Sequence, residues 1–391
     1  MQYRKDNISL LGYGCMRFTT KNNKIDLDKA EKELMRAYEL GVNYFDTAYI
    51  YPGSEDAVGR IVEKNGIRDK IKIATKLPQY MVKSRAGLDK FFEEELKRLR
   101  TDYVDYYLMH HMTDIAQWEN LCKIGIEDWI AEKKASGQIR HIGFSFHGNT
   151  DMFLKILNAY DWEMCLVQYN YMDEITQAGK EGVRAAAAKG IPVMIMEPLR
   201  GGRLVNLLPD KAKDAIASDS HGWSAAEWSF RWLWDQEEVT CVLSGMNDIP
   251  MIEENCRIAS EAKSNSFGEA EFGLINKIKG YIYENTKVNC TGCKYCMPCP
   301  KGVDIPAIFM SYNQMYSASK ATGRENYFHM VAIRKEPAGA SLCIGCGKCE
   351  KHCPQNIPIR EKLKEADKDL RAFPFNALFS LAGRIMVGKK K

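Results

Sequence analysis

DKAEKELMRAYELGVNYFD, residues 28–46, contains one complete step of this chain's architecture. Ala30, Leu34, Ala37 and Tyr38 fall on one face of a helix spanning 28–40, and the short apolar run 43–46 reads as a strand. The same alternation continues outward in both directions. Candidate strands are 10–14, 43–46, 71–75, 104–109, 141–145, 165–168, 193–197 and 239–244. Among the segments between them, 88–99 puts Leu88, Phe92, Leu96 and Leu99 on one helical face. Short strands alternating with longer amphipathic segments predict βα units on a parallel sheet. Eight units in about 250 residues match a closed (β/α)8 barrel (a TIM barrel), whereas an open doubly wound sheet usually has fewer strands. No G-x-G-x-x-G follows any strand. Gly12 and Gly14 give only G-x-G, which reads as tight backbone packing.

Eight of the 13 cysteines lie in two runs beyond the barrel, CTGCKYCMPCP and CIGCGKCEKHCP. The second is C-x2-C-x2-C-x3-C-P, the pattern of bacterial ferredoxins, in which three thiolates hold one 4Fe-4S cluster and the fourth crosses to the other. By that logic Cys290, Cys293, Cys296 and Cys353 hold one cluster, and Cys343, Cys346, Cys349 and Cys299 the second. Gly292, Gly345 and Gly347 let backbone amides approach the sulfurs. Two zinc sites are the alternative, because zinc also accepts C-x2-C pairs. Zinc usually needs two pairs separated by a longer loop, so four cysteines within ten residues leave too many thiolates. The other five, Cys15, Cys122, Cys165, Cys241 and Cys256, read as core residues.

A polar stretch, 260–270, and a helix-like run, 272–283, precede the cysteines and put a boundary near residue 280. The expected organisation is a barrel over 1–280 and a small α-helical, ferredoxin-like dicluster domain over 281–391. A chain of 391 residues with 45% hydrophobic content suits two such domains. The net charge of +4, from 55 basic and 51 acidic residues, is too mild for nucleic-acid binding. The N-terminus lacks the apolar core of a signal peptide, and no run of 18 apolar residues occurs. A cytoplasmic location is expected, where thiolates stay reduced. In the tail, Phe375, Leu378, Phe379, Leu381 and Ala382 approach helical spacing before a basic end. It reads as docked on the barrel or frayed in solvent, in preference to the alternative of a membrane-surface helix.

Barrel enzymes carry reactive groups at the C-terminal ends of their strands. Asp46, Lys76 and His110 occupy three such ends, and Tyr51 follows Asp46 by five residues. FDTAYIYPGSEDAVG, IATK, VDYYLMHH, RHIGFSFHG, VQYNYM and MIMEPLRGGRL, in this order, resemble the aldo/keto reductase family across most of residues 8–260.

The resemblance implies a catalytic tetrad of Asp46, Tyr51, Lys76 and His110, with His111 as competitor for the histidine role. In it Tyr51 donates a proton to the oxygen that gains charge, Lys76 stabilises the phenolate, Asp46 holds Lys76, and His110 orients the carbonyl. It also implies a nicotinamide site with Ser145 and Gln168 at the carboxamide and Met196 against the ring. Gly245 and Asn255 would lie near the adenosine and pyrophosphate. The asparagine usual after the serine is Phe146 here. Gly245 and Met251 stand where NADP-preferring relatives often carry a lysine and an arginine, so NADH is as credible as NADPH. Arg200 and Arg203 read as solvated arginines near the phosphates.

A nicotinamide gives electrons in pairs and each cluster passes one, so the fusion calls for a splitter. A flavin, though no flavin motif is legible, a partner electron-transfer protein, or the substrate itself would serve. The leading expectation is an oxidoreductase acting on a small carbonyl or alcohol, with the clusters relaying electrons. The alternatives are an NAD(P)H-dependent carbonyl reductase with structural or sensing clusters, and a non-catalytic electron-transfer or docking subunit.

Overall fold

The computed structural model describes residues 1–284, 287–288, 290, 292, 294, 296–353 and 356–387, with backbone alone for 384–387. Eight parallel strands close into a barrel in chain order. They are β1 (Leu11–Gly14), β2 (Tyr44–Asp46), β3 (Lys72–Leu77), β4 (Val104–Met112), β5 (Ile139–Phe146), β6 (Met164–Gln168), β7 (Val193–Met196) and β8 (Val239–Ser244). Closure comes from β8 on β1, with Val242 opposite Leu11. All eight expected strands are present. β4 runs past its expected end because its register shifts between Met109 and Met112, a bulge at which His111 takes a φ of +59°.

Alternation along the strands builds two layers of core. Tyr44, Tyr106, Leu108, Leu166 and Met194 pack together as one cluster. Phe45, Tyr107, Met109, Val167 and Ile195 belong to another, shared with the surrounding helices. β6 and β8 are buried at every residue, as suits parallel strands whose outer face is covered by helices. The helix Leu27–Glu39 begins where the Asp26 carboxylate accepts from the Lys29 N–H at 3.2 Å, and it buries Leu34 and Ala37 completely. Each such leucine contributes about 1.5–3 kcal/mol. Gly12 does mark close packing: a Cβ there would stand 2.6 Å from Leu243 Cδ2 and 2.9 Å from Cys241 Sγ.

The helix Glu269–Tyr283 gives Ile275, Ile278 and Ile282 to the barrel's core. A separate core begins at Val288 and takes in Val303, Ile308, Phe309, Leu363 and Leu370. Its helices include Ile305–Ser317, Lys320–Tyr327, Ile359–Leu370 and Phe375–Val387. This unit docks on the loops that follow β5 and β6, on the face where barrels carry their chemistry. Asn149 donates to the Asp304 carboxylate at 3.1 Å, Gln314 donates to Asp173 at 3.2 Å, and the Thr176 hydroxyl meets Met310 Sδ. The tail does not behave as expected. Phe379 packs on Tyr327 and Phe328, with ring centroids 5.8 and 5.7 Å apart, so the last helix lies on the second unit rather than on the barrel. No helix among the described residues is long and apolar enough to cross a membrane.

Candidate active site

The ends of β2, β3 and β4 bring Asp46, Lys76 and His110 together. Lys76 Nζ donates to Asp46 Oδ1 and to the Thr47 carbonyl, both at 2.6 Å. Its side chain is 1% exposed, so this cation is held almost without water. Burial alone would depress the Lys76 ammonium, but Asp46 and then Tyr51 outweigh it and raise its pKa. The lysine therefore stays charged. Its Nζ lies 5.1 Å from the centroid of the Tyr51 ring, which meets the His110 ring edge-on at 6.0 Å. Burial raises the Tyr51 phenol above its ordinary value, with Lys76 opposing. Burial, then Lys76 and His111, push His110 well below the usual imidazole range, so it is neutral at pH 7.

His111 occupies a different spot from His110. The bulge in β4 interrupts the strand's alternation and brings the His111 ring to 6.5 Å from His110, while its own N–H donates to Ser145 Oγ at 2.8 Å. The candidate nicotinamide residues Ser145, Gln168 and Met196 close the ends of β5, β6 and β7, with Gln168 opposite Met196 across the pairing. Gln168 is already engaged. Its Nε2 donates to Asp173 Oδ2 at 3.2 Å, and its Oε1 accepts from Gln177 at 2.5 Å. Asn255 donates to Ser244 Oγ at 3.3 Å. Gly245 lies under Arg17, whose Cδ would stand 3.0 Å from a Cβ added there. Sequence reasoning passed over Arg17, which also reaches Gly201 and so brings a guanidinium beside Gly245, the glycine expected near the pyrophosphate.

Asp173 was missed as well. It is fully buried and takes Arg200 Nε at 2.8 Å and Nη2 at 2.5 Å, together with Asn170, Gln168 and Gln314. Burial would lift its carboxyl, but Arg200 prevails and holds it below the usual range. Arg200 is therefore a buried ion-pair partner, not a solvated arginine.

In the second unit Cys299, Cys343, Cys346 and Cys349 line one cavity of about 320 Å³ together with Cys296. Cys353 is not part of that lining. Gly345 and Gly347 have φ near +70°, and the Gly345 N–H donates to Cys343 Sγ at 3.4 Å. This is the amide-to-sulfur contact that a thiolate-held cluster uses. Cys290 lies outside the lining too, and Cys293, assigned with it, falls outside the described residues. No three His, Cys, Asp or Glu side chains among the described residues are arranged to hold a metal ion.

Comparison with known proteins covers both units. The aldo/keto reductase family matches residues 10–271, and a 4Fe-4S dicluster domain matches residues 289–357. The uncharacterized oxidoreductase YqkF of Bacillus subtilis is 26% identical over 292 residues, which span 65% of this chain and 88% of that protein. L-galactose dehydrogenase of Arabidopsis thaliana is 26% identical over 304 residues, 69% of this chain and 90% of the enzyme. Among solved structures, the holo form of aldo-keto reductase AKR11C1 from Bacillus halodurans superposes with a TM-score of 0.59 at 25% identity, over 71% of this chain and 95% of that one.

Proposed function

This chain belongs to the aldo/keto reductase family, and from that premise we propose that it interconverts a small carbonyl compound and its alcohol, with two 4Fe-4S clusters exchanging electrons. The observation that carries the reading is the dry Lys76–Asp46 pair beside the Tyr51 ring. A carbonyl oxygen that gains negative charge needs a proton and a nearby donor to orient it. Tyr51 supplies the proton, and Lys76 stabilises the phenolate left behind. Asp46 and the Thr47 carbonyl fix Lys76 in place. Neutral His110 donates a hydrogen bond to the carbonyl without adding a charge.

A nicotinamide would be held by Ser145, Gln168, Met196, Gly245 and Asn255, with Arg17 near its phosphates, and when bound it supplies hydride. Clusters would be held by Cys299, Cys343, Cys346 and Cys349, and by Cys290, Cys293, Cys296 and Cys353; when bound they carry single electrons. A flavin or a partner protein would then convert pairs into single electrons. The gap between the two apolar cores, from Ile282 to Val288, supports a division near residue 280, with 1–280 as the reductase unit and 281–391 as the dicluster unit.

The test is Tyr51→Phe, which keeps the ring and removes the proton donor. Carbonyl turnover should fall by roughly 100- to 10,000-fold, with iron content unchanged. Wild-type turnover by the variant, with NADH and with a reduced viologen as donors, would displace the tetrad from the chemistry. One observation favours a second reading, in which the barrel serves as an electron-transfer or docking subunit: Gln168 already spends one N–H on Asp173 and one lone pair on Gln177, which leaves it less free to turn to a carboxamide. Titration of the same protein with NADH and NADPH separates the two readings, because a docking subunit binds neither.

A further inference from the structure

Four of the chain's seven histidines, His110, His111, His147 and His329, meet at the junction of the two units. The His111 ring lies 4.6 Å from His147 and 4.6 Å from His329, and His147 lies 5.2 Å from His329. Three come from the barrel. His329 comes from the dicluster unit, where a turn of π-helix, Phe328–Ala332, interrupts regular helical geometry. Such turns are frequent at functional sites. On the barrel side His111 stands at positive φ in the β4 bulge, and the His147 N–H donates to the Met112 carbonyl that ends the same bulge. Two local irregularities, one in each unit, therefore serve a single meeting point beside the tetrad.

The cluster is chemically unfinished. His110 Nδ1, His111 Nε2, His147 Nδ1 and His329 Nδ1 are buried without a hydrogen-bond partner, although buried polar groups are normally satisfied. His111, His147 and His329 are only partly buried as whole residues, so the unpartnered nitrogens lie beneath a thin cover rather than in the deep core. Burial lowers all four imidazoles, His111 to about 4 and His329 to about 3, so they are neutral at pH 7. A metal ion does not suit them, since no three donors among the described residues are arranged to hold one, and His147 and His329 lie stacked at 28°. Lys76, the cation whose charge weighs on His110, is committed to Asp46. Among the described residues no other cation weighs on these rings, so a carboxylate or phosphate finds little to pair with. Neutral imidazoles with buried, unpaired nitrogens suit an uncharged ligand with more than one polar oxygen.

Resting on the carbonyl reading of the tetrad, we propose that the dicluster unit completes the substrate site. His329 and His111 bind a hydroxyl on the carbon next to the carbonyl while Tyr51 and His110 hold the carbonyl oxygen. The substrate class is thus an uncharged α-hydroxycarbonyl compound, selected by a residue that a barrel alone does not possess.

Hydroxyacetone and butanone test this, because they match in size and differ in that hydroxyl. The full-length, cluster-loaded protein should bind hydroxyacetone more tightly than butanone by calorimetric titration and turn it over with higher kcat/KM. His329→Phe keeps a ring at the junction and removes the nitrogens. It should reduce the hydroxyacetone-to-butanone ratio roughly tenfold, mainly through KM, as expected for one lost hydrogen bond. His329→Gln should recover part of the ratio. Equal losses on both substrates would mean that His329 only packs, and would overturn the proposal, as would equal binding of the two by the wild type. If His329→Phe fails to fold or loses iron, His111→Phe supplies the same ratio from the barrel side. Preferential binding of hydroxyacetone with no turnover of either ketone would leave this inference standing and remove the reductase reading instead.

Discussion

At a φ of +59°, His111 occupies left-handed backbone that costs a residue with a Cβ about 1–2 kcal/mol. That cost is met by a defined contact, its N–H to Ser145 Oγ, and the ring is delivered next to His147 and His329. Protonation tests the arrangement. Imidazoles titrate near pH 6.5 in an unfolded chain, whereas in the fold His111 and His329 are lowered to about 4 and about 3 by burial. Between those values the unfolded chain binds more protons, so stability rises with pH and is lost as pH falls from about 6.5 through about 4. His110 and His147 face His111, His147 also faces His329, and Lys76 acts on His110, so charge on any of the rings adds repulsion. Melting temperature measured from pH 7.5 to pH 4.5 should drop less steeply in His329→Phe than in the wild type. Identical slopes would show that these rings are not buried neutral in solution. At this scale the grouping of Asp46, Tyr51, Lys76 and His110 was legible, because each ends a strand or follows one within a motif. Asp173 and the burial of Arg200 were not, because the carboxylate that turns Arg200 inward is placed by tertiary folding and marked by no local pattern.

The elements carry two different kinds of signal. Strand positions were readable from alternation and run length, so the eight strands fall within a few residues of expectation. The extension of β4 was not, because a bulge depends on what the neighbouring strand and loop offer. The cysteine runs are legible for the opposite reason: their spacing is itself the chemistry. Their pairing is where a prediction belongs. With Cys299 lining the cavity of Cys343, Cys346 and Cys349, and Cys353 outside it, Cys353→Ser should perturb the cluster bound by the first run and leave the second more nearly intact. EPR of the reduced protein would show one of two signals altered. Selective loss of the cluster held by Cys343, Cys346 and Cys349 would mean that the fourth ligands do not cross.

For the molecule as a whole, Asp173 is the joint between the units. It binds Arg200 within the barrel and Gln314 on the helix Ile305–Ser317 of the other unit. Removing the carboxylate leaves a buried guanidinium uncompensated, a loss of about 3–5 kcal/mol. Asp173→Asn and Gln314→Leu, singly and together, should show a coupling of about 0.5–3 kcal/mol in chemical denaturation followed at both units. Additive effects would mean that the units dock without this bond. Composition and the position of the cysteines announced two units; nothing local announced how they meet, because the docking contacts join residues more than a hundred positions apart.

The place of His329 late in the chain also sets an order of events. During synthesis the barrel's strands emerge first and in the sequence in which they pair. The mouth of the barrel is finished only after the ribosome has released the segment carrying His329 and that segment has folded back onto it. A nascent barrel is thus an incomplete vessel, and the completion of its mouth is tied to the arrival of the dicluster unit.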